Sequence, residues 1–388
     1  MPALWQSFVQ FFVSLRLTVA LLALSIILIF WATLAQVDIG VLGVQQQFFH
    51  TFIVLGHLNG LPVPLYPGGY FLGGLLFVNL VAAHLCRFKL TARKLGIQLA
   101  HLGVILLLVG ELLSGLWQQE SQMTIATGET KNYGETDQHC ELAIIDATDP
   151  QWDDVVAIPD TALAAGRTIQ HPKLPFQVIP HAYFPNAVLV KRTAGSPAPA
   201  GTTGAGLEYE ATPVPLTYKE KTVNLPAAYV ELAGPGGKSL GTWLVSAMIA
   251  DSQDRFIAQP FDYEGHSWRL TLRFARTYRP FTLTLLKFTH DVYPGTDIPR
   301  NYSSRVRLQS ADGRDDREVD IYMNNPLRYA GLTFYQAGFT PNDAGTILQV
   351  VSNPSWRLPY VSCLLVALGL VLQFGQSLTG FLRRRPAP

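Results

Sequence analysis

The sequence predicts an α+β membrane protein. It has four transmembrane helices, with a large extracytoplasmic, mainly antiparallel β domain between helices three and four. Three observations predict this. Four apolar stretches are long enough to cross a bilayer. Lys and Arg cluster in the link between the second and third stretches and after the fourth, and are missing from the link between the first and second. The long segment between the third and fourth stretches reads as short strands bounded by Gly, Pro and Asp. Composition agrees: of 388 residues 48% are hydrophobic and 15% charged, against about 25% charged in a soluble domain. Net charge is +1, which leaves no nucleic-acid footprint, so no nucleic-acid partner is expected.

The spans come first. Leu17–Ala35 and Leu358–Gly375 carry no charge, Tyr70–Cys86 holds Asn79 and His84, and Gly96–Trp117 holds His101 and Glu111. A helix needs about 20 residues to cross roughly 30 Å of hydrocarbon, and each stretch meets that, the second narrowly. The first reads as an uncleaved anchor, because its apolar run exceeds a signal-peptide core and Arg16 is the single basic residue before it.

Orientation follows from the basic residues. Arg87, Lys89, Arg93 and Lys94 fill the link between spans two and three, and Arg383, Arg384 and Arg385 follow span four. The link 36–69 has no Lys or Arg. Positive loops stay inside, so both termini are expected in the cytoplasm and 118–356 outside. The expected units are a membrane domain, 1–117, with helices 17–35, 70–86 and 96–117; an outer domain, 118–356; and a final helix, 358–375, with its basic tail in 357–388. Within the 36–69 link, Gln45–Leu58 is expected to form an interfacial helix, with His50 and His57 as interface-tolerant polar residues rather than ligands.

In the outer domain, Glu141–Asp146, Phe176–Pro180, Tyr229–Leu232 and Thr242–Ser246 read as strands. Trp268–Ala275 alternates, with Arg269, Thr271 and Arg273 on one face and Trp268, Leu270, Leu272 and Phe274 on the other. Phe281–Phe288 alternates likewise. Ser304–Gln309 and Arg317–Met323 flank an Asp-Gly and read as a hairpin. One polar face marks antiparallel pairing, so a β-sandwich or curved open sheet is expected. Thr193–Gly206 reads as a flexible surface loop.

The chemistry-bearing residues are few. Cys86, Cys140 and Cys363 are the three cysteines, and no CxxC or paired spacing suggests a disulfide or zinc site. No nucleophile–base pair or nucleotide-binding loop is present, so catalysis by this chain alone is not expected. His101 lies five residues into span three, roughly 7–8 Å deep, and His84 lies at a similar level near the end of span two. Imidazole is a common metal ligand, and ionisable groups inside spans face functional interiors. Ligation by His101 competes with a hydrogen-bonded structural histidine, and ligation by His84 competes with snorkelling to the interface. Glu111 is read either as a protonated helix–helix bond or as a group steering a ligand's carboxylates or protons.

The segment MNNPLRYAGLTFYQAGF, Met323–Phe339, resembles the signature near the end of the outer domain of ResB-type cytochrome c biogenesis proteins (system II cytochrome c maturation). His290–Leu308, Ile347–Tyr360 and His101–Gly115 are similar to other stretches of that family. The resemblance implies a subunit that works with a membrane protein of the ResC or CcsA type. The pair would move haem b, a transported substrate, to the outer face of the inner (cytoplasmic) membrane and support its attachment to apocytochrome c. A thiol-disulfide reductase is a further implied partner. The seven tryptophans are scattered, so the chain would be half of a synthase. The resemblance places a haem-associated histidine at His101, with its second axial ligand from the partner. The competing reading is a scaffold that binds no haem and docks apocytochrome or a reductant. Within the signature, Asn325 is expected to fix a turn, Tyr335 to be a buried packing residue, and Gln336 to share a strand face with Leu332 and Phe334.

Overall fold

The computed structural model describes residues 9–58, 61–87, 91, 94–193, 201–217, 222–249, 258–296 and 299–384. Most of the basic link between spans two and three and part of the Thr193–Gly206 loop lie outside the described residues. The chain divides into two compact units.

The helical unit holds four helices long and apolar enough to cross a membrane. They are α1 (Leu15–Val44), α2 (Gly69–Arg87), α3 (Leu95–Trp117) and α5 (Leu358–Arg384). α1 outruns the expected 17–35 span. It breaks at Gly40, whose φ of 75° no β-carbon-bearing residue adopts cheaply, and continues into a π-helical turn, Gln45–Phe49. The polar Asn79 of α2 is structural. Its Nδ2 donates to the Phe12 and Ser14 carbonyls at 2.6 and 3.2 Å, and its Oδ1 accepts from Thr18 Oγ1 at 2.6 Å. It thereby satisfies backbone groups at the break before α1 that lipid could not.

The expected interfacial helix over Gln45–Leu58 is corrected. After Phe49 the chain forms an antiparallel hairpin, β1 (Ile53–Leu58) and β2 (Leu61–Pro67). The β-branched Ile53 and Val54 favour strand, and a partner strand supplies what local pattern cannot show. His50 stacks on Tyr70, with ring centroids 5.5 Å apart and planes 7° apart. That is a packing role.

α3 and α5 approach to backbone contact. Gly96, Gly103 and Gly110 recur every seven residues on one face of α3. A β-carbon on Gly96 would sit 2.7 Å from the Gly369 carbonyl oxygen, and one on Gly103 2.7 Å from that of Ser362. Small residues that let backbones touch are the usual means of joining helices in lipid, where no hydrophobic effect drives them together. Beyond the glycine face, Ser114, Ser355 and Asn353 close a polar knot, with Ser114 Oγ 3.0 Å from both Ser355 Oγ and Asn353 Nδ2.

The β unit comprises Glu120–Thr217 and Val223–Ser352. Its strands run β3 (Gln119–Ala126), β4 (Thr130–Asp146), β5 (Asp154–Pro159), a short helix α4 (Asp160–Ala164), β6 (Gln177–Phe184), β7 (Ala187–Lys191), β8 (Tyr209–Pro213), β9 (Ala227–Ala233) and β10 (Ser239–Ser246). They continue as β11 (Gln259–Tyr263), β12 (His266–Val292), β13 (Pro299–Ser310), β14 (Asp316–Tyr322), β15 (Leu327–Tyr329), β16 (Leu332–Phe339) and β17 (Gly345–Ser352). The main sheet follows the order β14-β13-β12-β4-β3-β17-β16-β15, with antiparallel pairing from β14 through to β3 and from β17 to β15.

The two alternating runs expected as separate strands are one strand, β12. Register shifts after Phe274 and Tyr278 let it serve two cores. Its first half buries Trp268, Leu270 and Leu272 with β4, β5, β6, β9 and β10, a sheet-on-sheet arrangement. Its second half buries Phe281, Leu283 and Leu285 with Val306, Leu308, Phe334 and Leu348. Arg273 and Glu141 cross-link β12 to β4 at 2.9 Å, both nearly sealed from solvent.

Candidate functional site

His101 sits in the second turn of α3. Its Nδ1 lies 2.8 Å from the Ile97 carbonyl oxygen. That oxygen can only accept, so Nδ1 carries the proton. The neutral ring then has its lone pair on Nε2, the arrangement found in metal-bound histidines whose other nitrogen is fixed by a carbonyl. At about 100° per residue, His101 lies about 140° round the helix from Gly96 and 160° from Gly103. α5 occupies the glycine face, so the half-buried imidazole projects away from it.

His84 is half-buried near the end of α2. α2 packs on α3. With α2 ending at Arg87 and α3 starting at Leu95, the two histidines are about 4.5 and 9 Å in from their helix ends. Glu111 is exposed on α3, ten residues and so about 15 Å along the axis from His101. The three do not form one cluster.

The signature residues lie in the β unit. Gln336 is fully engaged: its Oε1 accepts from Ser304 Oγ at 2.7 Å, and its Nε2 donates to the Gly338 carbonyl at 2.9 Å and to Thr346 Oγ1 at 2.8 Å. Leu332 and Phe334 share its face and are buried, as the alternation implies. Tyr335 corrects the expectation of a buried packing residue. It is 40% exposed, because it stands on the outward face of β16. Asn325 is also exposed. Its backbone exchanges hydrogen bonds with Tyr322 and so closes the expected turn, while the neighbouring Asn324 holds the positive φ, 61°, within it.

His290 carries no signal in the sequence beyond its place in the stretch His290–Leu308. The His290 ring packs on Phe339 at 4.3 Å between centroids, and its Nδ1 lies 3.0 Å from Asp343 Oδ1. Its Nε2 is buried and makes no hydrogen bond. Asn342 and Asp343, in the turn it clasps, both have positive φ.

The cysteines are free. Burial, with Asp160 and Glu141 adding to it, pushes the Cys140 thiol up to about 12, so it is not a reactive thiolate. Among the described residues no cluster of three or more His, Cys, Asp and Glu could hold a metal ion.

Fold and site define a class: a membrane protein with four apolar helices and one large antiparallel β unit. Residues 264–346 match the sequence profile of the ResB-like family. That span holds β12 to β16, including His290 and the signature. Among curated proteins, Protein NrfI of Wolinella succinogenes is 36% identical over 92 residues, 24% of this chain and 10% of that protein. Two proteins named cytochrome c biogenesis protein CcsB are also similar. The one from Picosynechococcus is 31% identical over 86 residues, 22% of this chain and 18% of that protein. The one from Crocosphaera subtropica is 37% identical over 73 residues, 19% and 16%. The matches thus span between a tenth and a fifth of these relatives' length. They support a ResB-type cytochrome c biogenesis protein, in agreement with the resemblance read from the signature.

Proposed function

We propose that this chain is a membrane subunit of a cytochrome c assembly complex. With a ResC/CcsA-type partner it brings haem to the outer face and supports its covalent attachment to apocytochrome c. The observation that carries this reading is the match over 264–346, with relatives named for cytochrome c biogenesis. His101 is the residue assigned to the haem iron. The Ile97 carbonyl fixes its tautomer, with the lone pair on Nε2. His84, at a neighbouring depth, is the alternate imidazole. The β unit lies on the outer side, with both termini inside, because the basic residues flank the opposite helix ends.

The test is genetic. Deletion of this chain abolishes accumulation of haem-stained c-type cytochromes while apocytochrome is still made. Unchanged holocytochrome levels would overturn the reading. The scaffold alternative has one observation in its favour. Met323 and Tyr335, both exposed within the matched segment, provide surface on which apocytochrome or a thiol reductant could dock.

A further inference from the structure

We propose that the β1–β2 hairpin is bedded in the lipid bilayer alongside α1, its outward face against acyl chains and headgroups. The hairpin is apolar on both faces. One face is anchored: Val54 is buried in the core shared by α1 and α2, and Tyr66 packs against it. Away from that anchor the hairpin and its entry expose Phe52, Ile53, Leu55, Leu58, Leu61 and Leu65, each between 49% and 69%. No Asp, Glu, Lys or Arg occurs anywhere in 39–69. An exposed apolar surface of this kind marks contact with membrane or protein.

Two observations favour lipid. The first is depth. The Tyr66 hydroxyl donates to the Leu24 carbonyl at 3.0 Å, and Tyr66 meets Trp31 edge-on. Leu24 lies sixteen residues, about 24 Å, below the Gly40 break. The hairpin therefore runs beside the apolar shaft of α1 rather than beyond its end, and its outer face continues the lipid-facing surface of that helix.

The second is its edge. Pro62 and Pro64 pair with His57 and Leu55. A paired strand tolerates proline only where the nitrogen points away from its partner. The outer edge of β2 thus lacks the donors that low-dielectric surroundings would leave unsatisfied. The same prolines block addition of a strand from another chain, which argues against a protein occupant that pairs along this edge.

The inference rests on the membrane reading of α1, and the test separates the two. Cys86 and Cys363 are replaced by serine, and a single environment-sensitive fluorophore is attached at Leu65→Cys or, as control, at Ile27→Cys on α1. The full chain is placed singly in lipid nanodiscs. Quenchers are lipids carrying a doxyl group near the headgroup, lipids carrying it near the chain end, and aqueous iodide. Loss of fluorescence at Leu65→Cys with the shallow doxyl lipid, and little loss with iodide, is expected. Lipid quenching at Ile27→Cys shows that α1 crosses the bilayer. If that control responds to lipid while Leu65→Cys responds only to iodide, or to neither quencher, the hairpin inference is overturned. If the control fails, the membrane reading itself is wrong.

Discussion

At Ala330 the backbone holds a residue with a β-carbon at φ 49°, followed by Gly331 at φ 77°. Together they form the two-residue link between β15 and β16, a turn in which both central positions need positive φ. Alanine costs about 1–2 kcal/mol there. Ala330→Asn should therefore stabilise the chain by about 1 kcal/mol, since asparagine tolerates this region and suits the turn. A thermal or urea melt of the purified protein in detergent measures it, and a lower midpoint would refute the account of this turn. Asp146 gives the pH dependence. Burial raises its pKa, but hydrogen bonds from Thr148 and from His266, 2.7 Å away, outweigh that and hold the carboxyl below its usual range. A depressed carboxyl contributes stability that is present above the ordinary carboxylate range and lost as pH falls through the folded value. Stability should thus fall on acidification, and Asp146→Asn should flatten that slope. An unchanged slope in the variant would contradict it.

At the scale of elements, the α3–α5 pair depends on the glycine notches. Gly103→Leu should prevent the close approach and abolish recovery of monodisperse protein. Gly115→Ala, with nothing within 4 Å of the added carbon, should change little. Size-exclusion profiles of the two variants decide it. The β4–β12 cross-link is tested by Arg273→Met, which strands the buried Glu141 and should cost about 3–5 kcal/mol. Adding Glu141→Leu should recover much of that loss, and failure to recover would show that the arginine acts by packing instead.

How legible these elements were varies with the distance over which their cause acts. Spans two, three and four, the faces of Trp268–Ala275 and the 304–309/317–323 hairpin were readable, because local periodicity fixes them. The β1–β2 hairpin was not, since Gln45–Leu58 is a short apolar run whose state is set by pairing with 61–67. The exposure of Tyr335 was hidden for a similar reason: alternation assigns two faces but does not say which side has a second layer. The tautomer of His101 needed a helix in hand, and the positive φ of Asn324 needed dihedral angles.

For the whole molecule, the proposed topology makes a direct prediction. In a background with Cys86 and Cys363 replaced by serine, Trp152→Cys should react with an impermeant thiol reagent applied from outside, and Lys94→Cys should not. Both side chains are exposed, so the reverse pattern would invert the topology. The central claim is that His101 holds haem iron through Nε2. The most direct measurement is the absorbance spectrum of the chain purified with its partner, wild type beside His101→Ala, with yield and partner recovery recorded. The account predicts a haem Soret band in the wild type, its loss in His101→Ala at unchanged yield and partner recovery, and partial return when imidazole is added. A His101→Ala complex with full haem content would contradict it.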